Sequence, residues 1–252
     1  MAKRLISNQD KFKQKRRLIF LFIGIYLIFI SVLSILYFFF YKEVILLETI
    51  LLLSLIGLSI VLIWARQAMI PIQMYLHYFR MLDEKLPPFE IQTPIQSKGF
   101  QDNLLKYKFE LGLENEGLKI YVRYDEKLPW VARTQASLIY VVILKDQNMI
   151  LTDERLEQAI IKIKSNLKTN KEIQNEITLM IYQSESFNPN LKDKADQIIN
   201  FSLQNRGIVT IPSIQIGQQK MYALRPKKLF PNKFYYVAIK LLYYLTDANE
   251  ML

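Results

Sequence analysis

Along this chain polar and apolar residues are arranged in three successive patterns, and each predicts a different kind of element. From Leu18 to Phe40 no residue is charged, and after Tyr41, Lys42 and Glu43 a second apolar run, Val44 to Trp64, is broken only by Glu48. A helix needs roughly 20 apolar residues to cross a hydrocarbon core about 30 Å thick. A soluble helix shows one apolar stripe, whereas these two runs are apolar all round. Residues 18–64 therefore predict a transmembrane helical hairpin, with spans at 18–40 and 44–64.

The second pattern is mixed. Ala65 to Leu82 interleaves Met, Tyr, Phe, Arg and His77, which predicts a juxtamembrane amphipathic segment in the headgroup zone. His77 reads there as a surface or packing residue, and Pro71 as a kink or restart of the helix. Lys85 to Gly99 carries Pro87, Pro88 and Pro94, a density that predicts an extended, semi-rigid spacer. Residues 65–98 thus read as juxtamembrane segment and linker, and a domain is expected from 99 onward.

The third pattern is that of a folded domain. Gly117 to Asp125 alternates like a strand, and Ser137 to Lys145 is the near-continuous apolar run of a strand buried on both faces. Leu156, Ile160, Ile163 and Leu167 recur at helical spacing, with Thr152 as the expected N-cap and acids in the first turn. Glu176 to Gln183 returns to strand character, completing a βαβ unit. Lys192 to Arg206 predicts another helix, ended by Gly207 in the left-handed conformation. Ile208 to Gly217 and Lys220 to Leu224 predict a hairpin, with Pro212 placing its strand at an edge or bulge. Phe234 to Leu245 is apolar but too short to span a bilayer, so it reads as a packed terminal helix. The fold class expected for 99–252 is α/β with a mixed sheet.

Charge adds an orientation. The chain has a net charge of +10, and residues 1–17 hold seven basic residues against Asp10. Such a basic tail reads as cytosolic, because positive charge flanking a span stays on the cytoplasmic side. The turn holds a single basic residue, Lys42, whereas Arg66, Arg80 and Lys85 follow the second span. Two spans in the cell (inner) membrane, with both termini cytoplasmic, are expected. The apolar run is too long for the core of a signal peptide and no A-x-A-like cleavage site follows it, so the hairpin reads as retained. Glu48, one turn into the second span, is either an interfacial acid that reaches water or a functional intramembrane group.

Composition narrows the chemistry. There are no cysteines and one histidine, which excludes disulfides, thiolate metal sites and His-rich clusters. The seven glycines form neither G-x-G-x-x-G nor a P-loop, and no cofactor is predicted. In open α/β sheets ligands bind beyond the carboxyl ends of the strands. Asp146 and Glu185 follow two predicted strands, and as neighbours they could hold a divalent ion or act as acid and base; the ordinary reading is two solvated loop acids. Arg225, Lys227, Lys228 and Lys233 are interleaved with Phe230, Phe234, Tyr235 and Tyr236. Such a mixture can meet anionic headgroups, at about 1 kcal/mol per cation near the surface, or single-stranded nucleic acid, or it can be a plain solvated loop. Lys13, Lys15, Arg16, Arg17 and Arg66 are further expected headgroup contacts. Residues after Trp64 are only modestly basic, 25 basic against 20 acidic, which disfavours a dedicated nucleic-acid binder.

These features lead to a non-enzymatic adaptor or assembly subunit, held at the membrane and engaging other membrane-complex proteins or further copies of itself. In architecture alone this is similar to small inner-membrane subunits of secretion and conjugation machines, a likeness that carries no residue over. The alternatives are a membrane-tethered metal-dependent hydrolase or nuclease using the strand-end carboxylates, and a sensor binding a small ligand.

Overall fold

The computed structural model describes residues 2–40, 45–84, 86–128, 136–145, 147–150, 153–167, 172–203 and 206–248. The chain divides into two units, residues 1–80 and 81–252.

The first unit is built on two helices, α1 (Ala2–Phe40) and α2 (Ile45–Glu84). Both are long and apolar enough to cross a membrane. The expected turn at Tyr41–Glu43 lies outside the described residues. Each helix runs beyond its predicted span: 39 and 40 residues at about 1.5 Å per residue make roughly 60 Å, some two bilayer cores. Low residue numbers of α1 meet high ones of α2, so the helices are antiparallel. Tyr26 Oη donates to the Ser54 carbonyl at 3.2 Å and occupies the space that a side chain at Gly57 would need. Ile19 packs with Ala65 and Ile72, and Phe12 stacks on Tyr75 with ring centroids 4.6 Å apart.

The segment from Ala65 onward, expected as a juxtamembrane amphipathic stretch, pairs with the start of α1. Ala65, Ala68, Met69, Ile72 and Leu76 recur at three- and four-residue steps, the spacing of a helix–helix seam. Helix α2 also continues through Pro71, which is exposed; Ala65 and Ile72, packed on Ile19 to either side of it, hold both halves in one helix.

The second unit is an eight-stranded mixed sheet with helices on both faces. Its strands are β1 (Phe89–Glu90), β2 (Glu110–Glu114), β3 (Leu118–Asp125), β4 (Ala136–Leu144), β5 (Ile173–Ser184), β6 (Ile199–Leu203), β7 (Arg206–Ile216) and β8 (Lys220–Ala223). Its helices are α3 (Lys98–Lys106), α4 (Glu154–Asn166), α5 (Pro189–Ala195) and α6 (Lys233–Thr246). The sheet order is β1-β8-β7-β5-β4-β3-β2, with β6 pairing β7. Strands β4, β5 and β7 are parallel and the remaining pairings antiparallel, so the α/β class with a mixed sheet holds.

All nine residues of β4 are buried. Side chains alternate across a strand, so Leu138, Tyr140, Val142 and Leu144 share one face with Met180 and Tyr182, under Leu156, Ala159 and Ile163 of α4 and Leu191 and Ala195 of α5. The residues between them face the other way, where α6 lies on β5 and β7 and packs with α3.

Several boundaries differ from the sequence pattern for identifiable reasons. Thr152 lies outside the described residues, and the α4 cap is Asp153, whose side chain accepts from the Arg155 N–H. The side-chain hydrogen bond from Arg155 holds the Asp153 carboxyl below its ordinary pKa. The predicted helix 192–206 ends early, at Ala195, and its remainder supplies β6. Gly207 is therefore no helix cap; it is a buried β7 residue whose missing Cβ makes room for the Phe234 ring, 2.6 Å from where that atom would stand. Pro212 is not on an edge strand. It falls where β6 has stopped pairing with β7, at Thr210, and β8 has not begun, at Ser213, the place where a missing donor costs least. Gly217, at φ +57°, makes the β7–β8 turn.

The expected spacer is packed as well. Phe89, Ile91 and Ile95 are buried, β1 pairs β8, and the Gln92 and Thr93 N–H groups donate to the Thr246 carbonyl, each at 3.0 Å.

Candidate functional site

The carboxyl ends of β4, β5 and β7 were the expected location of chemistry. Glu185 is exposed there, whereas Asp146 lies outside the described residues. The other polar groups of this edge hold loops. Gln147 Nε2 donates to the Gln183 carbonyl (2.7 Å), Gln96 Nε2 to Gln183 Oε1 (3.0 Å), and Gln215 Oε1 accepts from the Ile95 N–H (2.8 Å). Strand order also bears on this edge. A ligand crevice opens in such sheets where the order reverses, and from β4 through β5 to β7 it runs one way. Among the described residues no three His, Asp or Glu side chains gather as a metal ion would require.

Two open concavities flank the sheet. One, of about 490 Å³, lies between the β2–β3 turn and α4, with Leu113, Leu118 and Met149 as floor and Glu116, Gln158 and Lys162 among its polar lining. The other, of about 720 Å³, lies between the β1 segment and the β7–β8 turn, and is lined by Glu90, Gln92, Ser97, Gln218 and Gln219 among others.

The basic loop divides into two kinds of residue. Arg225 was expected at the membrane surface and is instead only 7% exposed. Its guanidinium donates to Tyr243 Oη (2.8 Å) and the Pro87 carbonyl (3.0 Å) and lies 4.9 Å from the centroid of the Phe89 ring. A fork of fixed donors over an aromatic face suits Arg in a buried structural role. Tyr235 is buried too, donating to the Leu224 carbonyl. Lys227, Lys228 and Lys233 are exposed, as are Lys13, Lys15, Arg16, Arg17, Arg66 and Glu48. Glu48 sits in the first turn of α2, where the helix dipole favours an acid.

Beside the exposed lysines the structure assembles a surface that the sequence pattern only partly announces. Phe230 meets Tyr236 edge to face, centroids 5.1 Å apart. Lys240 Nζ lies over the Tyr236 ring at 5.5 Å and the Tyr244 ring at 5.6 Å. Tyr244 stacks on Tyr107 at 5.7 Å and 10°, and Lys106 Nζ is 5.6 Å from the Tyr107 centroid. Four rings and two cations thus form one continuous rank across the outer faces of α6 and α3. The spacing of Tyr236, Lys240 and Tyr244 by four residues on a predicted helix was the available signal. Lys106 and Tyr107 had none, because only folding brings α3 beside α6. Compared with protein-family models, curated proteins and solved structures, the chain matches none of them.

Proposed function

We propose that this chain is a membrane-anchored adaptor or assembly subunit, spanning the cell (inner) membrane twice with both termini cytoplasmic, and acting by contact with other proteins of a membrane complex or with further copies of itself. The observation that carries the reading is the surface chemistry of the hairpin. Phe20, Leu21, Phe22, Ile25 and Ile28 on α1 and Leu52, Leu53 and Ile60 on α2 point outward, a surface suited to lipid. The serine hydroxyls of the same stretch, Ser31, Ser34, Ser54 and Ser59, each donate to the carbonyl four residues back, at 2.8 to 3.3 Å. In hydrocarbon every polar group needs such an internal partner. The basic tail supplies the orientation.

A reporter fused after Leu252 is expected to be active only when it requires the cytoplasm, and activity on the far side overturns the topology. Crosslinking in native membranes is expected to trap a membrane protein or a second copy. Replacing Asp146 and Glu185 by Ala leaves the cellular role intact under this reading; a folded double variant that has lost the role overturns it in favour of strand-end chemistry.

A further inference from the structure

We infer that the outer face of α6 and α3 is a docking surface for an anionic lipid bilayer, a reading that rests on the membrane anchoring proposed above. Leu105 and Leu229, 71% and 59% exposed, are the most exposed large apolar side chains among the described residues of the second unit. A single exposed leucine needs no explanation. These two, however, are the sequence neighbours of opposite ends of the aromatic–lysine rank, Leu105 next to Lys106 and Tyr107, Leu229 next to Phe230. Apolar tips flanking a row of tyrosines and lysines match the layered chemistry of a bilayer surface: leucine enters the acyl boundary, tyrosine sits at headgroup level, and lysine meets anionic phosphate. Lys227, Lys228 and Lys233 extend the positive charge at the Phe230 end. Of the nearby acids, Asp247 accepts from Asn103 Nδ2 at 2.9 Å and Asp102 is exposed on α3.

The rings also discriminate against single-stranded nucleic acid. A base is held by stacking on an open aromatic face. Here Tyr107 and Tyr244 stack on each other, and Tyr236 and Tyr244 share Lys240, so what they offer outward is edges and hydroxyls. The same chain carries two helices fit for a bilayer, which keeps lipid at high local concentration.

The absence of cysteine from the sequence makes the test direct. Full-length Leu105→Cys and Leu229→Cys variants, labelled with an environment-sensitive fluorophore, are placed in nanodiscs of phosphatidylcholine alone or mixed with phosphatidylglycerol, containing lipid brominated near the headgroup. The control site is Ile161→Cys, 57% exposed on α4, which covers the other face of the sheet. Quenching at 105 and 229 in anionic discs only, reduced by salt to the neutral-disc level and abolished by Lys106→Glu with Lys240→Glu, is the expected result. Equal quenching at all three sites, none in anionic discs, or a response at 105 and 229 to a thymidine oligonucleotide instead of lipid overturns the inference. Extraction of the unmodified chain from native membranes by alkaline carbonate would sink the anchoring reading separately, since it does not involve the α6–α3 face.

Discussion

Arg225 and Lys227 stand two positions apart in one basic loop, and their surroundings give them different roles. Arg225 loses two hydrogen-bond partners and an aromatic face if it is shortened. Arg225→Ala is expected to destabilise by about 2–4 kcal/mol, because it strips charge-assisted bonds from a buried site, whereas Lys227→Ala and Lys228→Ala stay within about 0.5 kcal/mol. Thermal unfolding of the full chain in detergent, followed by near-ultraviolet circular dichroism, measures all three. Two of the buried tyrosines make a second contrast. Tyr182 Oη donates to the Met149 carbonyl at 2.9 Å, and burial pushes its pKa up to about 12. Tyr140 Oη is buried with no hydrogen-bond partner among the described residues; its pKa is raised first by burial and then by the charge of Glu176. Tyr182→Phe is expected to cost about 1–2 kcal/mol and Tyr140→Phe to be neutral or stabilising by about 1 kcal/mol, since only the latter removes an uncompensated polar group. Equal losses in the same melts would show that Tyr140 Oη has a partner. Sequence placed both tyrosines in strands, but hydrogen-bond satisfaction depends on what folding brings to the hydroxyl, and no local pattern reports that.

Whole elements were legible in proportion to how far their own residues decide them. Strands β3, β4 and β5 and helices α4 and α6 match their patterns because each buries a complete period-two or period-3.6 surface. Strand β6 did not, since KDKADQIINFSLQNR favours a helix locally and pairing with the first half of β7 overrides that preference. The short β1, β2 and α3 carry too little pattern to register at all. In the hairpin, the apolar runs announced two spans, but the continuation of both helices beyond them depends on side chains over sixty positions apart. Phe12 stacked on Tyr75 is the test of it. Phe12→Cys with Tyr75→Cys is expected to form a crosslink with a short bifunctional thiol reagent in native membranes, within a single chain. A segment that parts from α1 after Trp64 would leave the pair unlinked.

At the scale of the molecule, residues 86–98 belong to the folded unit rather than to a tether. A fragment beginning at 99 loses β1, leaves β8 a bare edge, and removes the Pro87 carbonyl and Phe89 ring from Arg225, the Ile95 N–H from Gln215, and the Thr93 hydroxyl from the Leu245 carbonyl. Buried polar groups left without partners cost about 1–3 kcal/mol each, so fragment 99–252 is expected to aggregate or melt far below fragment 86–252. Parallel expression of the two, with melting curves and size-exclusion profiles, decides it; equal behaviour would restore the spacer reading. Taken by itself, the sequence determined that two apolar helices precede an α/β domain with a mixed sheet, and where their charge is concentrated, because composition, length and periodicity are local properties. Tertiary structure alone decided that Arg225 is buried, that Gly207 admits Phe234, that α1 and α2 stay paired past their apolar runs, and that Tyr107 joins Tyr244 in one surface. Each of these is a contact between residues distant in the chain, and its energy comes from surface buried by both partners at once, which no stretch of sequence carries alone.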